Sequence, residues 1–118
     1  MLPVKYRIKK EFLPTVLKQN KAFSSPKINL RVHFRSASEL NFNKQSRLAV
    51  IVSKKVAPLA ITRHLIKRRI MAVLEKVWLT IPDNLDIIIQ IKEDVSKLDF
   101  SDLEKEVLVL LKTAKISK

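Results

Sequence analysis

The chain has 118 residues, enough for one hydrophobic core, and its 24 Lys and Arg against 11 Asp and Glu leave a formal charge of +13. A composition of 47% hydrophobic and 30% charged residues describes a folded chain, while the charge imbalance is the footprint of a polyanionic partner. The absence of Cys excludes disulfides, thiolate chemistry and Cys-based zinc sites, the absence of Gly excludes a Gly-rich phosphate loop, and no stretch reaches the roughly 18 apolar residues of a membrane span.

The start, Met1-Leu2-Pro3-Val4-Lys5-Tyr6, lacks the apolar core of a signal peptide, so a cytoplasmic location is expected. Residues 1–9 read as an extended basic arm. From 10 to 18, Phe12, Leu13, Val16 and Leu17 recur at helical spacing with Pro14 tolerable in the first turn, and Asn20 is suited to close that helix. Ala22-Phe23 is a brief extended piece. Ile28, Leu30, Val32 and Phe34 then alternate with Asn29, Arg31, His33 and Arg35, a period of two that predicts a half-buried strand with its basic face turned outward. The polar run 36–46 is a connecting loop.

Residues 47–53 are nearly continuously apolar and β-branched, as expected of a central strand covered on both faces. A long helix follows from Pro58 or Leu59 to Leu79, with Leu59, Ile66, Ile70, Val73, Leu74 and Val77 forming its apolar stripe and Pro82 just beyond its end. Asp83-Asn84 makes a turn into a second buried strand over 86–91. Strand, helix, strand implies parallel pairing of 47–53 with 86–91, and the general handedness rule makes that crossover right-handed. In the last helix Asp99 is placed as N-cap with Asp102 three residues on, Leu103, Val107, Leu110 and Leu111 form the buried stripe, and residues 113–118 are a basic tail expected to fray. The whole chain, 1–118, reads as one α+β domain: a single mixed sheet with helices against it.

The strongest chemical signal is the cluster Arg63, His64, Lys67, Arg68 and Arg69 in the first half of the long helix, with Lys54 and Lys55 just before it. Like charges at i,i+4 spacing repel, and a helix N-terminus favours phosphate, so this grouping points to nucleic acid. Arg31, His33 and Arg35 could form a second RNA-facing surface, and Tyr6, Phe12 and Phe23 could add stacking positions. The acidic residues are scattered and capping explains their densest group. No catalytic or metal site is therefore expected on the protein. A generic structured-RNA-binding or ribosomal-type protein fits the same charge. A DNA-binding module using the basic helix fits less well, because the apolar stripe places that helix against the sheet.

Val52-Ser53-Lys54-Lys55, followed by Arg63-His64-Leu65-Ile66-Lys67-Arg68, resembles the bacterial ribonuclease P protein family, which carries Val-Ser-Lys-Lys at a strand end and then an Arg-Asn-Arg helix opening followed by Lys-Arg. Tyr6-Arg7-Ile8-Lys9, Phe12 with Val16, and the Asp86-Ile87-Ile88-Ile89 segment extend the resemblance over essentially the full chain. His64 stands in place of the family's Asn, Leu65 where a second Arg is frequent, and Tyr6 in place of an early Asn. The resemblance implies a two-layer fold, a mixed and mostly antiparallel sheet in the order α-β-β-β-α-β-α, with a left-handed β-α-β crossover against the general rule. It further implies a non-catalytic protein subunit of a ribonucleoprotein endoribonuclease that removes the 5′ leader of precursor tRNA. Mg²⁺ would be held mainly by the RNA, and the partners would be the ribonuclease P RNA and precursor tRNA, with no membrane and no obligate protein partner. Lys54, Lys55, Arg63, His64, Lys67, Arg68 and Arg69 would face the catalytic RNA. Arg7, Lys9, Phe12, Val16, Arg31 and His33 would border the leader cleft.

Overall fold

The computed structural model describes residues 8, 21–34, 46–82 and 84–114. The expected helix over 10–18, all of the basic arm except Ile8, most of the 36–46 loop and residues 115–118 of the tail lie outside the described residues. Four strands, β1 (Lys21–Ser24), β2 (Ile28–Phe34), β3 (Arg47–Ile51) and β4 (Leu85–Ile91), form one sheet in the order β1-β2-β4-β3. Pairing of β1 with β2 and of β2 with β4 is antiparallel, and that of β3 with β4 is parallel. Helix α1 (Ala60–Val77) bridges the parallel pair, and α2 (Phe100–Thr113) closes the described chain. The α+β, mixed and mostly antiparallel arrangement agrees with the expectation, including the short extra strand near residue 22.

Both helices cover one face of the sheet. Ile28, Leu30 and Val32 from β2, Leu48 and Val50 from β3, and Leu85, Ile87, Ile89 and Ile91 from β4 meet Ile66, Ile70, Val73 and Leu74 of α1 and Leu103, Val107, Leu110 and Leu111 of α2. In β2, β3 and β4 alternate residues enter this core because successive side chains point to opposite faces, except that Phe34 at the end of β2, expected on the buried face, is 57% exposed. Each such side chain, fully buried, contributes roughly 1.5–3 kcal/mol. Lys76 Nζ lies 3.0 Å from Glu104 Oε2 and 5.1 Å from the Phe100 ring centre, tying the exposed seam between the helices. Ser25 organises the β1–β2 turn: its hydroxyl accepts from the Ile28 amide at 3.1 Å and donates to Glu106 Oε1 at 2.6 Å, fastening the turn to α2.

Several expectations are corrected. The apolar run 47–53 predicts a central strand, yet β4 is central, buried at every residue but Gln90, while β3 stands at the end of the strand order. Both runs are rich in β-branched residues, and the composition of a run does not say which neighbour it takes. Leu59 is not part of the α1 stripe; it occupies the N-cap position in extended backbone and is 70% exposed. α1 ends at Val77 and tightens into a 3-10 turn over Trp78–Thr80, where Leu79 is fully exposed while Ile81 is buried. Asp99 does occupy the N-cap of α2, but its side chain makes no capping bond; its carbonyl accepts from the Asp102 and Leu103 amides instead. Without Gly, the turn into β4 uses Asn84 at φ 72°, a left-handed conformation that Asn tolerates better than most residues.

Candidate nucleic-acid interface

The basic segment is built from the end of β3 onward. After Val52, the Ser53 carbonyl accepts from the Val56 and Ala57 amides at 3.2 and 3.0 Å, and the Ser53 hydroxyl accepts a second bond from Val56. This compact turn leaves Lys54 and Lys55 exposed, while Ala57, completely buried, roots the loop in the core. α1 then starts with no acidic residue in its first turn. Its amides and the two lysines therefore present only positive potential at this end.

The seven predicted RNA-facing residues separate into two groups. Lys54, Lys55, His64 and Arg68 are exposed and Lys67 is half-buried, and among the described residues their side chains make no hydrogen bond or ion pair. Arg63 and Arg69, in contrast, are turned back into the protein. Arg63 Nη1 donates to the carbonyls of Ala57 at 2.9 Å and Pro58 at 2.8 Å, closing the loop that leads into the helix. Arg69 Nη1 donates to the carbonyls of Ser96 at 2.8 Å and Leu98 at 3.3 Å, tying α1 to the segment between β4 and α2. Sequence reasoning placed both in the charged face because their spacing resembles that of their neighbours. What separates them is a set of carbonyls supplied by distant or irregular backbone.

The sheet face opposite the helices carries the other predicted site residues within reach of description. Arg31 is half-buried, and its Nε donates to Gln90 Oε1 at 2.8 Å. His33 takes this face as its alternation dictates but is not open to solvent as expected; it is 6% exposed, in register with Asp86 of β4, which is itself in register with Arg47 of β3. Arg47 grips the buried Asp86 carboxylate with both arms, Nε to Oδ1 at 2.7 Å and Nη2 to Oδ2 at 2.8 Å. Next to this polar row, Ile8 packs on Ile88 with Ala49 and Ile51 beside it, and its amide donates to the Leu48 carbonyl at 3.0 Å. The N-terminal segment thus meets this face at residue 8, which is why the face is not open to water there. Arg7, Lys9, Phe12 and Val16 lie outside the described residues, so only the sheet wall of the expected cleft is on view. Arg47, Asp86 and Gln90 escaped the sequence reading. The signal was present, since in-phase parallel pairing of 47–53 with 86–91 sets Arg47 beside Asp86.

Among the described residues no three or more His, Asp or Glu side chains converge as a metal site, and the buried carboxylate, Asp86, is held by Arg47. These residues do not fit a protein-bound Mg²⁺. Among the described residues no helix is long and apolar enough to cross a membrane. The arrangement is chemically a binding surface: basic side chains reaching solvent before and along the first half of α1, and on another face a wall of hydrogen-bonded polar side chains.

Comparison with known proteins agrees with this reading. The family model for ribonuclease P matches residues 2–115. The ribonuclease P protein component of a Pseudanabaena strain is 26% identical over 117 residues, covering 98% of this chain and 97% of the relative. That of Streptococcus pneumoniae serotype 4 is 28% identical over 112 residues, covering 94% and 85%. The ribonuclease P protein of Staphylococcus aureus superposes with a TM-score of 0.80 at 23% identity, over 96% of this chain and 98% of that one. That of Thermotoga maritima gives 0.73 at 23% identity, over 91% and 96%. These two structures share the fold.

Proposed function

The chain belongs to the ribonuclease P protein family, and on that footing we propose that Lys54, Lys55, His64, Lys67 and Arg68 hold the phosphate backbone of the catalytic RNA while Arg63 and Arg69 hold the helix that presents them. The protein is the non-catalytic subunit of a ribonucleoprotein that acts on precursor tRNA, and its partners are the ribonuclease P RNA and that substrate. The observation that carries the proposal is the contrast with Arg63 and Arg69: Lys54 and Lys55 before α1, and His64, Lys67 and Arg68 in its first half, reach solvent with no protein partner among the described residues, on a helix with no acidic residue in its first turn. Exposed, unpaired cations in a row are what phosphate requires, and each contact formed releases counterions.

The 5′ leader of the precursor runs along the other face of the sheet, bordered by Arg31 and His33 and by Arg7, Lys9, Phe12 and Val16 of the N-terminal region. Half-buried Arg31, oriented by Gln90, supplies charge to that path; buried His33 shapes its wall from within the polar row of Asp86 and Arg47. Mg²⁺ works on the RNA, which carries the chemistry, and the protein contributes affinity and position. The whole chain acts as one RNA-binding domain in the cytoplasm.

Reconstitution with the cognate RNA tests this. Cleavage of precursor tRNA should need the RNA and be strengthened by the protein, and the gain should grow with leader length. Efficient Mg²⁺-dependent cleavage by the protein alone would overturn it. Equal affinity for unrelated structured RNA, with no gain in processing, would support the generic RNA-binding alternative.

A further inference from the structure

Around α1, at about 100° per residue, the buried stripe of Ile66, Ile70, Val73 and Leu74 is centred opposite the line through Ile61 and Arg68, with His64 close beside it. Ile61 is 84% exposed, and Leu59 at the N-cap is 70% exposed. Single exposed aliphatic residues are ordinary on a protein surface. These two, however, lie in the same short stretch of chain as the exposed Lys54, Lys55, His64 and Arg68, and Ile61 shares its helix line with Arg68. Ile61 and Arg68 lie on one line of the helix about 10 Å apart along its axis. An RNA strand drawn onto Arg68 is brought against Ile61 as well.

Phosphate gains nothing from an aliphatic surface. The parts of RNA that do are the faces of unstacked bases and the CH edges of ribose. A second copy of this chain is a poor occupant, because joining two such patches would bring their cations together without any acid to offset them. We propose that the outer face of the first two turns of α1 receives an unstacked nucleobase of the catalytic RNA. Leu59 and Ile61 pack on the base, His64 adds a flat ring beside it, and Lys54, Lys55 and Arg68 take the flanking phosphates. The proposal rests on the reading of α1 as the RNA-facing helix and adds to it a contact that salt does not screen.

The test is the affinity of the full-length protein for its cognate catalytic RNA, measured across a range of salt concentrations. Ile61→Ser and Leu59→Ser should each weaken binding about tenfold, by the same factor at every salt concentration, leaving the slope of log K against log salt unchanged. Ile61→Met should keep most of the affinity. Both side chains are exposed, so the unfolding midpoint should not move. Unchanged affinity of Ile61→Ser would overturn the proposal, as would a wild-type dimer that Ile61→Ser dissociates. Arg68→Ala, run alongside, separates the two levels. If Arg68→Ala lowers the slope while Ile61→Ser is silent, only the base contact falls; if both are silent, the reading of α1 as the RNA face falls with it.

Discussion

Replacing Arg47 by Ala should be among the most damaging single changes in the described part of the chain. Asp86 is 1% exposed and its two oxygens receive Nε and Nη2 of Arg47 at 2.7 and 2.8 Å, with the Arg47 side chain itself only 15% exposed. Truncation removes both charge-assisted bonds and leaves a carboxylate within the central strand. Breaking a buried pair in this way costs about 3–5 kcal/mol. With an unfolding entropy of about 2.1 cal/mol/K per residue, a chain of this length loses about 4 °C of midpoint per kcal/mol. The expected drop in Tm is therefore about 12–20 °C, read by circular dichroism with thermal and urea unfolding. The double variant Arg47→Met with Asp86→Leu should recover a large part of the loss, because neither half of this ion pair then remains without the other. A midpoint for Arg47→Ala within about 2 °C of the parent would show that water reaches Asp86 and refute the reasoning.

Arg69→Ala should lower stability by about 1.5–3 kcal/mol through loss of its charge-assisted bonds to the Ser96 and Leu98 carbonyls, yet leave the salt slope of RNA binding unchanged in urea-free titrations. Arg68→Ala should do the reverse, keeping the unfolding midpoint and lowering the slope by a little under one unit. Asp94 is held below the usual carboxylate pKa by hydrogen bonds from the Ser96 hydroxyl and then its amide, the latter at 2.8 Å, with Lys97 adding to the effect. A depressed folded-state pKa stabilises the protein above the unfolded value, and that contribution is lost as pH falls through the folded value. Asp94→Ala should therefore cost a small amount of stability at pH 7 and progressively less as pH falls through the folded value, with an NMR titration midpoint for Asp94 below the ordinary value of 3.8. Asn84→Gly should be tolerated at φ 72°, whereas Asn84→Val should cost about 1–2 kcal/mol, measured by urea unfolding.

Much of this protein is legible in its sequence because side-chain period reports which face a residue takes. The alternation of Ile28, Leu30 and Val32, the α1 residues Ile66, Ile70, Val73 and Leu74, and the whole α2 stripe of Leu103, Val107, Leu110 and Leu111 enter the core as their spacing dictates. The turn at Asn84, the parallel pairing of β3 with β4, and the exposed charge of Lys54, Lys55, His64 and Arg68 follow from local patterns of the same kind. Tertiary structure alone decided the rest. Whether β3 or β4 is central depends on which strand β2 pairs with, a contact between residues more than fifty positions apart that no local period encodes. His33 is 6% exposed in register with Asp86, on a face that alternation would leave to water. Arg63 and Arg69 share a charge and a helix with Arg68, but long guanidinium side chains go where unsatisfied carbonyls await them. Those carbonyls, at Ala57, Pro58, Ser96 and Leu98, are positioned only when the loops fold against α1.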